Sequence, residues 1–173
     1  MTLQKKVCLL GDFAVGKTSL VRRFVYDLFD DKYISTIGVR VSRKTLVVPH
    51  RLGITELTMM LWDLAGNEEF SQIRLSYLRG VSGAVLVCDL TREETFESLH
   101  TYIQLVRDTT PDAHLVLAVN KSDLADERQI TREQVEVTAE ALDIPYYLTS
   151  AKSGSNVEEA FRHLGQFLVR RDL

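Results

Sequence analysis

Cysteine, proline and tryptophan are scarce in this 173-residue chain, numbering two, three and one. Cys8 and Cys88 both lie inside apolar runs that read as strands, so buried reduced thiols are expected rather than a disulfide framework. No long apolar run is present: Ala84 to Cys88 and Leu115 to Val119 are far too short to span a bilayer. Met1 to Lys6 lacks the apolar core of a signal peptide, which leads us to expect a cytoplasmic protein. Blocks of like charge are missing too, and the formal net charge is -3, so sequence-independent binding to a nucleic-acid backbone is excluded. His50, His100, His114 and His163 are scattered without ligand spacing and suggest no metal. With no linker, repeat or low-complexity segment, 45% hydrophobic and 26% charged residues, residues 1–173 read as one globular domain that can bury a core.

What is present is Gly11-Asp12-Phe13-Ala14-Val15-Gly16-Lys17-Thr18, which fits G-x-x-x-x-G-K-[ST]. Glycines let such a loop curl until successive N–H groups face phosphate oxygens; Lys17 adds a point charge and Thr18 offers a hydroxyl to Mg²⁺. The run Lys6 to Leu10 reads as a strand before the loop, and Leu20, Val21 and Phe24 stand at helical spacing after it. That order puts the positive end of a helix dipole under the phosphates. Arg22 and Arg23 read as a solvated face.

The polar stretch Asp27 to Gly38 reads as a loop. Val39 to Val48 and Leu57 to Trp62 read as strands joined by a hairpin connection over Pro49 to Gly53. The second strand ends at Asp63, a natural place for a carboxylate that holds Mg²⁺ opposite the phosphate loop. Gly83 to Leu90 is continuously apolar, as in a parallel strand buried on both faces. Phe96, Leu99, Ile103 and Val106 form one helical stripe, and capping boxes are expected at Thr91 with Glu94, Thr131 with Gln134 and Ser155 with Glu158. Further strands are expected over His114 to Val119 and Pro145 to Thr149, and Val157, Ala160, Phe161, Leu164, Phe167 and Leu168 should face the sheet. The alternation predicts an α/β fold with a mostly parallel sheet covered on both faces and ligands at the carboxyl ends of its strands.

Two more stretches fall on that edge, Asn120-Lys121-Ser122-Asp123 and Thr149-Ser150-Ala151-Lys152. A carboxylate such as Asp123 can accept two parallel hydrogen bonds from guanine, whereas adenine lacks that donor pair. With Asp63-Leu64-Ala65-Gly66 these motifs make the chain resemble a small GTP-binding protein of the Ras superfamily over essentially its whole length. The resemblance implies a P-loop G domain with a six-stranded, mostly parallel sheet and one antiparallel edge strand. It implies GTP or GDP as ligand, held by residues 11–18 together with Ser19, and Mg²⁺ held by Thr18, Thr36 and Asp63. Asn120 would brace the loops, Lys121 cover the base, the Ala151 N–H meet the guanine oxygen, and Ser150 and Lys152 support them. Phe29 would pack on the base edge, and Thr36 and Gly66 would meet the third phosphate, so that both switch loops relax on hydrolysis. Lys17, Thr36, Gly66 and Asn67 would carry catalysis. Thr36-Ile37-Gly38-Val39, Trp62-Asp63 and Tyr77-Leu78-Arg79-Gly80 resemble Rab proteins within the superfamily, which implies an exchange factor, a GTPase-activating protein and an effector as partners.

Several positions depart from that pattern. Phe13 stands where the family has a small residue, and Asn67 where it has a water-orienting glutamine. A ring over the phosphates would exclude water and an arginine finger, whereas a ring turned to solvent would do neither. Asparagine is one methylene shorter, and a misplacement of about an ångström can cost roughly 100-fold in rate. Slow hydrolysis is therefore expected. Thr36 and Asp63 are 27 residues apart, a few more than the family's spacing, and Val41 replaces one aromatic of the Rab effector patch that includes Trp62 and Tyr77. Val169 to Leu173 holds no cysteine for a prenyl group, which fits a trimmed chain or an unanchored, for example prokaryotic, relative. A rival reading is a GTP-binding scaffold with little hydrolysis, such as a domain excised from a Roc-type protein. A P-loop kinase would need an acceptor pocket and an arginine-bearing lid, and the sequence has neither.

Overall fold

The computed structural model describes residues 2–30, 38–64 and 72–173. Strand β1 (Thr2–Leu10) leads through the glycine loop into α1 (Lys17–Tyr26), followed by β2 (Val39–His50) and β3 (Gly53–Leu64). Then come α2 (Gln72–Tyr77), β4 (Gly83–Asp89), α3 (Glu93–Glu97), α4 (Leu99–Thr109), β5 (His114–Asn120), a 3-10 segment Ser122–Glu127, α5 (Arg132–Leu142), β6 (Tyr146–Leu148) and α6 (Val157–Arg170). Among the described residues the strands form one six-stranded sheet in the order β2-β3-β1-β4-β5-β6. Every neighbouring pair is parallel except β2 with β3, so the fold is the expected α/β arrangement with one antiparallel edge strand.

The period of two along each strand sorts the core into two layers. Val7 and Leu9 of β1, with Val85 and Val87 of β4, face α1 and α6, where Phe24 and Phe161 stack with ring centroids 4.2 Å apart. Cys8 and Leu10, with Leu86 and Cys88, face α3, α4 and α5, where Phe96, Ile103 and Val135 close the other layer. Strand β4 is buried at every residue, and its sequence is an unbroken apolar run up to Cys88, before the buried carboxylate of Asp89.

Several elements differ from expectation for local reasons. Strand β1 starts at Thr2 rather than Lys6 because β3 pairs with it from Glu56 onward, and ladder bonds extend it beyond its apolar core. The hairpin connection shrinks to Arg51 and Leu52, since His50 already pairs with Gly53. The His50 Nδ1 accepts from the Leu52 N–H at 3.2 Å, which leaves Nε2 to donate to Thr55 Oγ1 at 2.9 Å. The stripe after β4 divides into α3 and α4, although Phe96, Leu99, Ile103 and Val106 are all buried as expected. Ser98 Oγ donates back to the Glu94 carbonyl at 2.9 Å, a bond that bends helices at such points.

Of the three expected capping boxes only that of Thr131 and Gln134 forms. Thr91 donates both its hydroxyl, at 2.7 Å, and its N–H, at 2.9 Å, to Asp89 Oδ1, which turns it toward β4, and Arg92 becomes the N-cap of α3. Asn156, not Ser155, precedes α6, and the Ser155 N–H is held by Ser153 Oγ at 3.2 Å. Phe167 is only half buried and stacks on His114 and His163, outside the core.

Both cysteines are fully buried. Desolvation pushes the Cys8 thiol up to about 12 and raises Cys88 further, where the neighbouring Asp89 carboxylate adds to the effect. Among the described residues no helix is long and apolar enough to cross a membrane. The thiols should stay inert toward a disulfide exchange reagent at pH 8 in the native protein and titrate as two equivalents in denaturant. Rapid native labelling of either would contradict this packing.

Candidate phosphate and base site

The loop between β1 and α1 keeps glycine where a side chain has no room. A Cβ on Gly11 would lie 2.2 Å from the Val87 carbonyl oxygen, and one on Gly16, at φ +103°, would lie 2.3 Å from Asn120 Nδ2. The backbone between them is held through its carbonyls by side-chain donors. Lys17, buried in the first turn of α1, bends back so that its Nζ donates to the carbonyls of Gly11 at 2.9 Å and Asp12 at 3.0 Å. Arg92 places both terminal nitrogens on the Phe13 carbonyl at 2.9 and 3.1 Å. Lys121 Nζ reaches the Ala14 carbonyl and Asn120 Nδ2 the Val15 carbonyl, each at 3.0 Å.

Five consecutive carbonyls, Gly11 to Val15, are therefore engaged by side chains. In a trans peptide the next N–H points the opposite way, so the N–H groups of Asp12 to Gly16 point away from their neighbouring carbonyls, just before α1. Such an arc of N–H groups at a helix start can cradle an anion. Phe13, at the crest of the loop, leaves half of its surface open to solvent. Ser19 follows in the first turn of α1, partly exposed.

Thr18 and Asp63 meet at the end of the loop. The Thr18 hydroxyl donates to Asp63 Oδ2 at 2.5 Å, and both residues are buried. The pairing follows from the sheet, where Leu9 of β1 lies opposite Asp63 of β3. Among the described residues no group of three or more histidine, cysteine, aspartate or glutamate side chains could hold a metal. A site of one hydroxyl and one carboxylate instead suits a small hard dication that takes its remaining ligands from phosphate and water, so the donor set fits Mg²⁺. Thr36, Gly66 and Asn67 lie outside the described residues. Phe29 is described, and it packs against the layer of α1 and α6.

The loops after β5 and β6 complete the edge. Asn120 is 2% exposed, and its Oδ1 accepts from Thr149 Oγ1 at 3.1 Å while its amide nitrogen holds Val15. Lys121, at φ +64°, also forms an ion pair with the buried Asp89 at 2.8 Å. Asp123 is exposed and is oriented by Ser150 Oγ, which donates to Oδ1 at 2.7 Å. The sequence motifs thus converge as expected on one edge.

Arg23 corrects the reading of a solvated face. Its Nε donates to the Ala151 carbonyl at 2.8 Å and Nη2 to the Lys152 carbonyl at 2.7 Å, so α1 carries the strut under the last loop. Asp89, the last residue of β4, and Arg92, at the N-cap of α3, were also not legible as site residues. Their partners lie far away in sequence, and the only local sign was a charged cluster closing a buried strand.

A model of the Ras family matches residues 6–170, reaching into every strand and helix described above.

Asn120→Ala would leave the buried Val15 carbonyl and Thr149 hydroxyl without their amide partner. It should cost about 1–3 kcal/mol in urea unfolding at fixed nucleotide concentration, and a change under about 0.5 kcal/mol would contradict the brace.

Proposed function

The chain belongs to the Ras family, a GTP-binding small GTPase switch, and from that premise we propose a Rab-like, Mg²⁺-dependent member with slow intrinsic hydrolysis. The observation that carries the reading is the direct tie between the two halves of the site. Asn120 and Lys121, beside the base-reading Asp123, each hold a carbonyl of the phosphate loop. A guanine gripped by Asp123 therefore lies at a set distance from the phosphate cradle, and one ligand engages both.

In this reading residues 11–18 and Ser19 bind the phosphates, Phe29 borders the base, and Asn120, Lys121, Asp123, Ser150, Ala151 and Lys152 form the guanine pocket. Thr18, Asp63 and Thr36 hold Mg²⁺, which neutralises phosphate charge when bound. Lys17 orients the phosphates, Thr36 and Gly66 sense the third phosphate, and Asn67 positions the attacking water. The short reach of Asn67 and the presence of Phe13 at the loop crest both favour slow cleavage. Residues 1–173 act as one cytoplasmic domain, alternating between GTP and GDP forms with the help of an exchange factor and a GTPase-activating protein.

The Rab-like effector face has physical support in β2 and β3. Val41 is the cross-strand partner of Trp62, whose ring lies 6.0 Å from that of Tyr77, with the Lys6 ammonium 4.0 Å above the indole. A valine in place of an aromatic makes this patch smaller and shifts the choice of effector.

Nucleotide released by denaturing the purified protein should be guanine nucleotide, mostly GDP; adenine nucleotide would contradict the assignment, and mostly GTP would favour an arrested scaffold. Single-turnover hydrolysis of Mg²⁺·GTP should run at or below about 10⁻⁴ s⁻¹, the intrinsic order for Ras proteins. Turnover within minutes and without a partner would overturn the slow-hydrolysis reading.

A further inference from the structure

We propose that Arg92 is a positioning residue that holds the phosphate loop in its nucleotide-binding form and thereby sets how long the nucleotide stays bound. This role rests on the nucleotide reading given above. Arg92 lies 79 residues from its partner Phe13, in the extended N-cap position of α3, and both of its terminal nitrogens converge on one carbonyl at 2.9 and 3.1 Å. Its Nε donates to Glu94 Oε1 at 3.2 Å, which braces the guanidinium in that orientation.

The loop has particular need of such a clamp at this point. Ala14 adopts φ +61°, a left-handed conformation disfavoured for a residue with a Cβ, and it does so directly after the bulky Phe13. The peptide between them must keep its carbonyl outward if the Ala14 N–H is to face a phosphate. Lys17 donates to the Gly11 and Asp12 carbonyls and Lys121 to that of Ala14, and Arg92 supplies a hold on the Phe13 carbonyl between them. A second tie runs from the same arm, where Tyr102 of α4 donates its hydroxyl to Asp12 Oδ1 at 3.0 Å. The arm of α3 and α4 is thus fastened to the crest of the loop at two successive residues, and Arg92 holds the backbone itself.

The test uses the full chain loaded with fluorescent GDP and chased with excess GDP, together with ³¹P spectra of bound GDP. Arg92→Ala should accelerate release about tenfold, as expected for loss of a charge-assisted bond pair, and should move the β-phosphate resonance. Arg92→Lys keeps the charge and one donor, should accelerate release about threefold, and decides the matter if the alanine variant does not fold. Glu94→Gln, which weakens only the brace, should change release in the same direction by a smaller factor. Unchanged release and an unchanged ³¹P shift in a folded variant overturn the role, and so does a lower melting temperature with both unchanged. Failure of the wild-type chain to bind GDP would instead overturn the nucleotide reading, and this role with it.

Discussion

Five carbonyls in a row, from Gly11 to Val15, are each held by a side chain, and the form of the glycine loop depends on that hold. A carbonyl turned inward would set a partial negative charge against a phosphate and withdraw an N–H from it. The donors are two lysines, an arginine and an asparagine amide. Only Lys17 belongs to the loop's own motif; the others come from the loops after β4 and β5. The phosphate cradle is therefore a property of the assembled sheet edge and not of an isolated octapeptide.

The parallel order of the sheet makes that assembly possible. Strands β1, β4, β5 and β6 run the same way and end together, so their following loops meet with no intervening crossing. Asp89 secures Lys121, Thr149 secures Asn120, and Ser150 orients Asp123, so each group that faces the ligand has a polar neighbour that fixes it. Arg23 adds a strut from α1 to the carbonyls of Ala151 and Lys152. The loops after β1, β4, β5 and β6 are coupled through backbone carbonyls.

Much of this was legible in the chain because it is written in local patterns. The glycine loop, the fully buried β4 and the stripe from Phe96 to Val106 each express one period or one steric need, and the order of strands and helices implied a parallel sheet. What stayed hidden depends on partners distant in sequence. Arg23 and Arg92 look like surface charges until Ala151 and Phe13 arrive beside them. The boxes expected at Thr91 and Ser155 failed for a related reason. Only the folded chain shows that Thr91 is turned to Asp89 and that Arg92 and Asn156 precede the helices instead.

The claim that outward carbonyls turn an arc of N–H groups toward guanine nucleotide phosphates can be read directly at those amides. In ¹⁵N-labelled protein, addition of GDP should shift the amide signals of Phe13, Ala14, Val15 and Gly16 strongly, and an equal concentration of ADP should leave them in place. If GDP binds while those four signals stay where they were, or if ADP moves them equally, the account of this site is wrong.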